Sequence, residues 1–499
     1  MTISAVASQD QIDTRRRDTS RKLDPARRSA LGQFMTPSST ARFMAGMFTS
    51  ISDSEVRLLD AGAGVGSLIS AFVDRCLVAP PKSLHVTAWE IDPVMRAGLS
   101  TTLETCRIAA NSAGCGLDAQ VHAEDFIESA TGGLFAGNRP PFTHAILNPP
   151  YKKITGTSSH RQMLRGVGIE TVNLYTAFVA LALDMLAPGG ELVAIVPRSF
   201  CNGPYYLPFR RYIFERAALR AMHLFGSRDQ AFREDGVLQE NIIIHLVRGV
   251  AQEEVRITMS ENDTFADLGE LMHPFHDIVK PEDPQSFIHI PTGGRQSALD
   301  ASRLTFQPLE GLGLKVSTGP VIDFRLREHL KDMPGRNTVP LLYPGHFSAA
   351  RVCWPIPDFR KPNAILRNAD TERWLFPAGR YVVVRRLSSK EERRRIVASI
   401  VEPDDFSTEK VGFENHLNVF HIEREGLPEA LAYGLAAWLN STAVDEHFRR
   451  FNGHTQVNAT DLRHMPYPPA AVLESLGAWY AQNLTAPQQQ LDQRIEAIL

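Results

Sequence analysis

The stretch ILNPPYKK, residues 146–153, ends an apolar run with an amide, two prolines and an aromatic ring. Asn148 offers a side-chain carbonyl, and the main-chain carbonyl of Pro149 lacks a strand partner because Pro149 and Pro150 cannot donate to a ladder. Two acceptors aimed at one point suit an NH2 group, such as the exocyclic amine of a nucleobase. They would orient the amine lone pair towards a transferable methyl group and stabilise positive charge building on nitrogen. Tyr151 supplies a face on which a flat, extruded base can stack.

A glycine-rich loop is the second candidate for chemistry. In LLDAGAGVGSL, residues 58–68, a strand-like run passes through Asp60 into Gly62, Gly64 and Gly66. Glycines let the backbone turn tightly and approach a ligand. A dinucleotide loop has the spacing GxGxxG and binds a pyrophosphate, which the acid before this GxGxG would repel. The acid suits a cofactor with a cationic ammonium group, so the loop predicts S-adenosylmethionine.

Two further acids follow strand-like runs. Glu90 ends the stretch HVTAWEID, and Asp125 is followed by Phe126 in AEDFIE. An acid about 20 residues past the glycines can accept both hydroxyls of a ribose, which serves NAD and S-adenosylmethionine alike. Asp125 can accept from the amine of an adenine whose face packs on Phe126, although this stretch alone is as typical of a loop. We therefore expect all three residues at the cofactor.

The elements that must position these residues have an alternating pattern. Apolar strand-like runs alternate with helical patterns from Leu58 to about Gly249, and residues 174–186 are apolar at helical spacing. This alternation predicts an α/β, Rossmann-like domain with a mostly parallel, doubly wound sheet that binds ligands at the carboxyl ends of its strands. We expect this domain at residues 32–250, after a basic arm at 1–31. A linker at 251–290 and a mixed α+β domain at 291–499, ending in a helical tail from about Ala459, should follow.

Charge is informative only locally. The chain of 499 residues has a net charge of −3, which gives no global sign of a nucleic-acid partner. Residues 351–399 hold twelve Lys and Arg against five Asp and Glu. This run is typical of a solvated face or of a DNA-binding surface, for which the candidates are Arg385, Arg386, Arg393 and Arg394. The arginines of the arm, among them Arg15, Arg16 and Arg17, are open to the same two interpretations.

Cysteine and hydropathy patterns exclude other classes. The five cysteines are scattered and have no histidine at ligand spacing, so no metal site is expected. No apolar run approaches the ~20 residues of a membrane helix, and a cytoplasmic protein is expected.

Several motifs resemble one family in combination. NPPY behind DAGAGVG resembles the signature of Rossmann-like amino-methyltransferases that use S-adenosylmethionine. GQFMTP, residues 32–37, followed by ARFMAGMF, is similar to the segment before the glycine loop in gamma-class adenine-N6 DNA methyltransferases. The tail FNGHTQVNATDLRHMPYP, residues 451–468, with STGPVIDFR and ENHLNVFH, resembles the Eco57I-like and PstI–BsuBI-type modification methylases of type II restriction–modification systems.

The resemblance implies both roles and partners. Thr36 and Pro37 would lie over the methionine end of the cofactor, and Asn452, Gln456 and Asn458 of the tail would contact DNA. The enzyme would methylate N6 of a flipped adenine in a specific double-stranded sequence, as a monomer, and so protect host DNA from a separate cognate endonuclease. One departure concerns the second aromatic behind the flipped base: only Phe232 is near, and Leu238 stands at the aligned place.

Other functions share the NPPY chemistry. Cytosine-N4 methyltransferases use related residues, often with Ser in place of Asn148. NPPY also occurs in enzymes that methylate guanine N2 of RNA or the side-chain amide of a protein glutamine, because each of these NH2 groups must be oriented in the same way. A non-enzymatic DNA-binding subunit would have lost an acceptor or a glycine, and none is lost here. A nuclease fused to the same chain is disfavoured, because the sequence outside the methyltransferase and recognition domains is too short for another core domain.

Overall fold

The chain forms two compact units, Met1–Pro291 and Thr292–Leu499. The computed structural model describes residues 12–21, 35–51, 54–132, 141–226, 240–290, 299, 302, 304–348, 351–389, 391–452 and 455–499. Within these residues, no helix combines the length and apolarity needed to cross a bilayer.

The first unit is built on a nine-stranded sheet with the order β3-β2-β1-β4-β5-β7-β6-β8-β9. Its first five strands in this order are parallel, and β7 runs antiparallel between β5 and β6. The expected Rossmann-like, mostly parallel sheet is confirmed. The strands are β1 Glu55–Ala61, β2 Ser83–Trp89, β3 Gly116–His122, β4 Phe142–Leu147, β5 Leu186–Pro197, β6 Ala217–Phe225, β7 Asn241–Arg248, β8 Glu254–Ser260 and β9 Gly269–Pro274.

Helices cover both faces of this sheet, so apolar residues of the central strands pack on both sides of it. In β4, Ala145 and Leu147 pack into one apolar layer and Ile146 packs into the other. The helix expected at residues 174–186 is found at Leu174–Met185. The helices are α1 Ser38–Gly46, α2 Ser67–Cys76, α3 Pro93–Ser112, α4 Phe126–Thr131, α5 Ser159–Gly166, α6 Leu174–Met185, α7 Leu207–Arg216 and α8 Phe275–Ile278.

Residues 251–290 do not form the linker that we expected. They contribute β8 and β9, which extend the sheet beyond β6, and the short helix α8. Val255 and Ile257 of β8 are fully buried in the layer that also holds α6. Short strands and prolines are typical of a sheet edge as well as of a linker, so this sequence pattern could not distinguish the two.

The described part of the basic arm is a packed helix. Residues 12–21 are helical, and Arg16 is buried beside Asp13 with an Nε–Oδ1 distance of 2.8 Å. Arg15 donates to Thr102 Oγ1 of α3 at 3.0 Å. The interpretation of a frayed arm is therefore wrong for residues 12–21, whereas a phosphate contact stays a prediction. Lys22, Arg27 and Arg28 lie outside the described residues.

A buried carboxylate fastens the segment after α1 to the sheet. Glu191 of β5 accepts hydrogen bonds at 2.8–3.0 Å from the amides and hydroxyls of Thr49 and Ser50. His245 of β7 lies 2.8 Å from the same carboxylate, and both side chains are at most 2% exposed. Because α1 directly precedes Thr49, this cluster fixes the element that follows Thr36.

This cluster should make stability depend on pH. Burial alone would raise the pKa of Glu191, but hydrogen bonds from His245 and the amides of Thr49 and Ser50 outweigh it and lower the pKa from 4.5 to about 2. The ionised group stabilises the fold fully above its unfolded pKa, and this contribution is lost as the pH falls towards the folded value. We expect the Glu191→Gln variant to be less stable at pH 6 and to lose less stability between about pH 4.5 and 2. Urea unfolding across that range measures both, and parallel profiles of the two proteins would contradict the expectation.

The second unit combines small sheets with helices, so the expected mixed α+β class is confirmed. Its larger sheets have the orders β10-β20-β17-β18 and β11-β15-β12-β19-β16. The strands are β10 Lys315–Thr318, β11 Leu330–Lys331, β12 Thr338–Leu342, β13 Phe347–Ser348, β14 Arg351–Val352, β15 Ala364–Leu366, β16 Phe376–Pro377, β17 Tyr381–Arg385, β18 Ala398–Val401, β19 Lys410–Phe413 and β20 Leu417–His421.

The helices of the second unit follow these strands. They are α9 Glu429–Leu439, α10 Thr442–Phe451, α11 Ala459–Arg463, α12 Ala470–Gln482 and α13 Gln488–Glu496. The last three form the helical tail that the sequence predicts. Helices α9 and α12 cross at two glycines, because a Cβ on Gly434 would lie 1.8 Å from Leu473 O and one on Gly477 would lie 1.7 Å from Ala430 O. Only glycine permits so close an approach of two helix backbones.

Candidate active site

The glycine loop lies where β1 ends, beside the end of β2. The amides of Gly62 and Ala63 both donate to the carbonyl of Trp89, at 2.8 and 3.0 Å. Gly62, Gly64 and Gly66 all have positive φ angles, between 58° and 86°. The loop therefore turns directly across the carboxyl ends of two parallel strands, as the sequence predicts.

Glu90 holds this loop from the end of β2. Its carboxylate accepts from the amide of Gly64 and from the amide of Asp92, each at 2.8 Å. Burial raises the pKa of Glu90, although these two hydrogen bonds oppose the shift. Each oxygen keeps a second acceptor position, so the carboxylate can fix the loop and still receive a ribose hydroxyl.

Asp60 is fully buried at the end of β1. Neither carboxylate oxygen has a hydrogen-bond partner in the described part of the chain, and burial, together with the charge of Glu90, raises its pKa well above 3.8. An unpaired buried carboxylate is costly unless a ligand satisfies it. Asp60 does not line the pocket described below, and its contact with a cofactor ammonium stays a prediction.

Asp125 is the N-cap of α4. Its Oδ1 accepts from the amides of Ile127 and Glu128 at 2.8 and 3.2 Å. The ring centroid of Phe126 lies 5.1 Å from that of Trp89 and 5.0 Å from that of Phe178. The carboxylate and the aromatic group thus occupy one corner of the site, with one oxygen of Asp125 committed to the helix.

The NPPY segment follows β4 immediately. Asn148 Nδ2 donates to Thr36 Oγ1 at 3.0 Å, and the hydroxyl of Tyr151 donates to Asn148 Oδ1 at 3.1 Å. The same hydroxyl lies 3.2 Å from the carbonyl of Ile195. The amide is thus held from both sides, with its nitrogen towards Thr36 and its oxygen towards Tyr151.

Tyr151 therefore has a role that the sequence did not indicate. Burial raises the pKa of Tyr151 well above 10, so its hydroxyl stays protonated beside Asn148 Oδ1 and the carbonyl of Ile195. Its ring is only partly buried, and stacking on a base stays a prediction. The proposed second stacking positions, Phe232 and Leu238, lie outside the described residues.

One pocket of about 380 Å³ joins these elements. A Cβ on Gly62 would lie 3.9 Å from the main-chain oxygen of Asn148, so the glycine loop and the NPPY segment share a wall. Of the predicted site residues, Thr36, Gly62, Gly64, Glu90, Asp125, Phe126, Asn148 and Pro150 line the pocket. Pro37, Asp60, Gly66, Pro149 and Tyr151 do not.

The sequence analysis missed several lining residues. These include Trp89, Phe178, Lys152 and His160. Trp89 directly precedes Glu90, and its strand-end position was a usable signal. Phe178 and His160 belong to helices whose direction the sequence does not give. No described cluster of three or more His, Cys, Asp and Glu side chains is arranged to hold a metal ion.

In the second unit, most of the basic run is engaged internally. Arg385 forms an ion pair with Glu392, and Arg386 donates to the carbonyl of Asn415 at 3.3 Å. Arg394 donates to the carbonyl of Asn440, and burial lowers its pKa. Arg385 and Arg394 are therefore engaged within the unit, and their contact with DNA stays a prediction.

Arg393 differs from its neighbours because it is exposed. Arg394, next to it, also donates to Thr442 Oγ1 at 3.1 Å, so it ties the run to α10. Of the four arginines, Arg393 is the one whose charge faces solvent.

The polar residues of the tail have structural contacts. Asn452 is 2% exposed, and its side chain accepts from Arg395 at 2.8 Å and donates to Asp461 at 2.9 Å. Asn458 forms the capping box of α11 with Asp461. Gln456 Oε1 lies 3.4 Å from Arg386 Nη2. Burial removes Asn452 from the surface that DNA could reach, because a side chain can bond a base edge only where the base can approach it.

Comparisons with known proteins agree with this arrangement. Residues 108–232 match the family described as Eco57I restriction-modification methylase. The chain is 48% identical over 481 residues to type II methyltransferase M.BsuBI of Bacillus subtilis, covering 95% of this chain and 94% of that protein. It is 45% identical over 471 residues to type II methyltransferase M.PstI of Providencia stuartii, covering 93% and 92% of the two chains.

A solved structure, the cryo-EM structure of a DrdV–DNA complex, matches with a TM-score of 0.52 at 13% identity. The match covers 96% of this chain and 59% of the DrdV chain, and at this identity it shows a likeness in fold alone. The two near full-length relatives and the match across the NPPY segment are decisive for the family. The chain belongs to the Eco57I-like type II restriction–modification methyltransferases, enzymes that depend on S-adenosylmethionine.

Proposed function

We propose that the protein transfers a methyl group from S-adenosylmethionine to the exocyclic N6 of an adenine extruded from a specific double-stranded DNA sequence. The observation that carries this proposal is the fixed amide of Asn148. Its nitrogen is bound by Thr36 and its oxygen meets Tyr151, at a pocket whose other wall is the glycine loop. An acceptor held this firmly beside a cofactor pocket suits an amino group as the nucleophile.

The residues present fit S-adenosylmethionine. Gly62 leaves room that a side chain would fill, and Glu90 retains acceptor positions for a ribose. Asp125 and Phe126 would receive the adenine. When bound, the cofactor supplies an electrophilic methyl group on a sulfonium.

The part played by the chain is orientation and charge stabilisation. Asn148 Oδ1 and the carbonyl of Pro149 would accept hydrogen bonds from the two N–H groups of the target amine, and so would turn its lone pair towards the transferable methyl group. Positive charge would grow on the target nitrogen as it takes the methyl group and S-adenosylhomocysteine leaves, and the two oxygens would stabilise that charge. The methylated amine is strongly acidic, so its extra proton passes to solvent without a strong base.

Cytosine N4 is the nearest alternative target, because its amine has the same two donors. The similarity of GQFMTP to adenine-N6 enzymes favours adenine. RNA guanine and protein glutamine are less favoured, since those substrates give no reason for a second unit of about 200 residues. We further propose that the enzyme acts as a monomer and that a separate endonuclease cuts the unmodified sequence.

Nucleoside mass spectrometry distinguishes these substrates. Unmethylated plasmid DNA is incubated with the protein and isotopically labelled S-adenosylmethionine, then digested to nucleosides. We expect labelled N6-methyladenine. Labelled N4-methylcytosine would agree with the mechanism but show that the target base is cytosine. A lack of label in DNA would show that DNA is not the substrate.

We also propose that Arg393 contacts the DNA backbone. Its exposed charge would release about one counterion from DNA on binding. The log of the binding constant should therefore fall less steeply with log salt in the Arg393→Ala variant, by about 0.9 in slope. Arg336, an exposed arginine of the same unit outside the basic run, provides the matched control. Titration of a labelled duplex at several salt concentrations measures both slopes. Equal slopes for wild type and the Arg393 variant would assign the run to a solvated face.

A further inference from the structure

The pocket has a wall that neither the glycine loop nor the NPPY residues provide. The segment between Lys152 and Leu174 carries α5, and it lines the pocket beside Asp125 through Lys152, Lys153, Ile154, Thr155, Ser158 and His160. His160 lies in the first turn of α5. Nothing in the sequence motifs assigns this residue a role.

Local contacts hold this segment in place. The amide of Leu174 donates to the carbonyl of Lys152 at 2.8 Å, which closes the base of the segment. Leu164 of α5 is 1% exposed. Glu170, which follows α5, forms ion pairs with Arg161 and Arg165 of that helix. His160 is therefore presented to the pocket from an anchored helix, rather than from a free loop.

The contacts of Asp125 place His160 beside its second carboxylate oxygen. Oδ1 already accepts two amide hydrogens, from Ile127 and Glu128, which occupy its acceptor positions. Oδ2 is thus the oxygen left for a ligand, and His160 Nε2 lies 3.3 Å from it. The two side chains are 29% and 30% exposed, so both reach the pocket as well as each other.

We propose that His160 is a positioning residue that holds Asp125 Oδ2 towards the 6-amino group of the cofactor's adenine, and so sets selectivity for adenine over hypoxanthine. This inference rests on the proposed function. Oδ2 has two acceptor positions, so it can lie 3.3 Å from His160 Nε2 and still accept from the adenine amine. A hypoxanthine ring carries a carbonyl oxygen at the same place, which would face the carboxylate oxygen without a hydrogen between them.

The test measures ligand selectivity by calorimetry. S-adenosylhomocysteine and S-inosylhomocysteine differ only at the base, and they are titrated into wild type, His160→Ala and His160→Gln. We expect His160→Ala to weaken S-adenosylhomocysteine binding by about tenfold and S-inosylhomocysteine binding by less than about twofold. Glutamine can still donate to Oδ2 and should restore most of the affinity. In turnover, His160→Ala should raise the KM for S-adenosylmethionine and leave kcat unchanged.

A second background shows whether His160 acts through Asp125. Asp125→Ser keeps a side-chain oxygen at the N-cap of α4 but removes Oδ2. We expect His160→Ala to have no further effect on S-adenosylhomocysteine affinity in this background. Additive losses, equal weakening of both nucleosides, or unchanged affinity in the single variant would each overturn the inference. If wild type bound neither nucleoside, the proposed cofactor site itself would be wrong, which nucleoside mass spectrometry reports independently.

Discussion

Replacing Asn148 with alanine should lower kcat by about 10³-fold while changing the Kd for S-adenosylmethionine by less than about threefold. The substitution removes the oxygen that accepts from the target amine, and it leaves Glu90 and Asp125 in place. Single-turnover methylation of a duplex and calorimetric titration of the cofactor measure the two quantities. The loss should be in the chemical step, since the interaction strengthens as charge develops on nitrogen.

Tyr151→Phe is the matched control for this prediction. It keeps the ring and removes the hydroxyl that donates to Asn148 Oδ1 at 3.1 Å. We expect a fall in kcat of about tenfold, because the amide is still held by Thr36 but loses its second contact. An Asn148→Ala variant with wild-type turnover would show that the amide is not the acceptor. A Tyr151→Phe variant with wild-type turnover would restrict Tyr151 to stacking.

The second large effect is expected at Gly66. Its φ angle is 86°, and a Cβ there would lie 2.9 Å from Leu99 Cδ1 and 3.1 Å from Thr102 Cγ2. Leu99 is fully buried, and Thr102 donates to the carbonyl of Val65 at 2.7 Å, so neither neighbour can move without disturbing the loop. Left-handed strain of about 1–2 kcal/mol and overpacking of about 1–3 kcal/mol should together make Gly66→Ala less stable by about 2–5 kcal/mol.

Gly64→Ala separates strain from crowding. Gly64 also has a positive φ, of 58°, but no atom lies within 4 Å of a Cβ placed there. Its loss of stability should therefore stay near the strain alone, about 1–2 kcal/mol. Urea unfolding of the two variants gives the comparison, and cofactor titration should show weaker binding by Gly66→Ala. Equal destabilisation of both variants would contradict the role of Leu99 and Thr102.

Hydrophobic periodicity was sufficient for the central architecture. The apolar runs that became β1, β4 and β5 end in residues buried on both faces, and β2 alternates between buried and partly buried positions, so each run carries its own signal. The polar residues that end these strands were placed at one edge by the rule for parallel sheets, which brought Gly62, Glu90, Asp125 and Asn148 to one pocket. The edge strands within 251–290 lacked such a signal and were read as a linker.

Side-chain partners could not be read in the same way. Thr36 and Asn148 are 112 residues apart and still share a hydrogen bond, and Glu191 binds a segment more than 140 residues earlier. The basic run illustrates the error that follows. Its charge count was correct, yet Arg394 donates to residues of a distant helix and Asn452 is buried.

The sequence by itself determined the parallel sheet, the glycine loop, the NPPY segment at a strand end and the family resemblance, because each depends on residues close together in the chain. Only the tertiary structure decided which way the Asn148 amide points, that Tyr151 donates to it, that His160 faces Asp125 and that Arg393 is the exposed arginine of its group. These properties depend on burial and on hydrogen-bond partners, which distant segments supply when the chain folds.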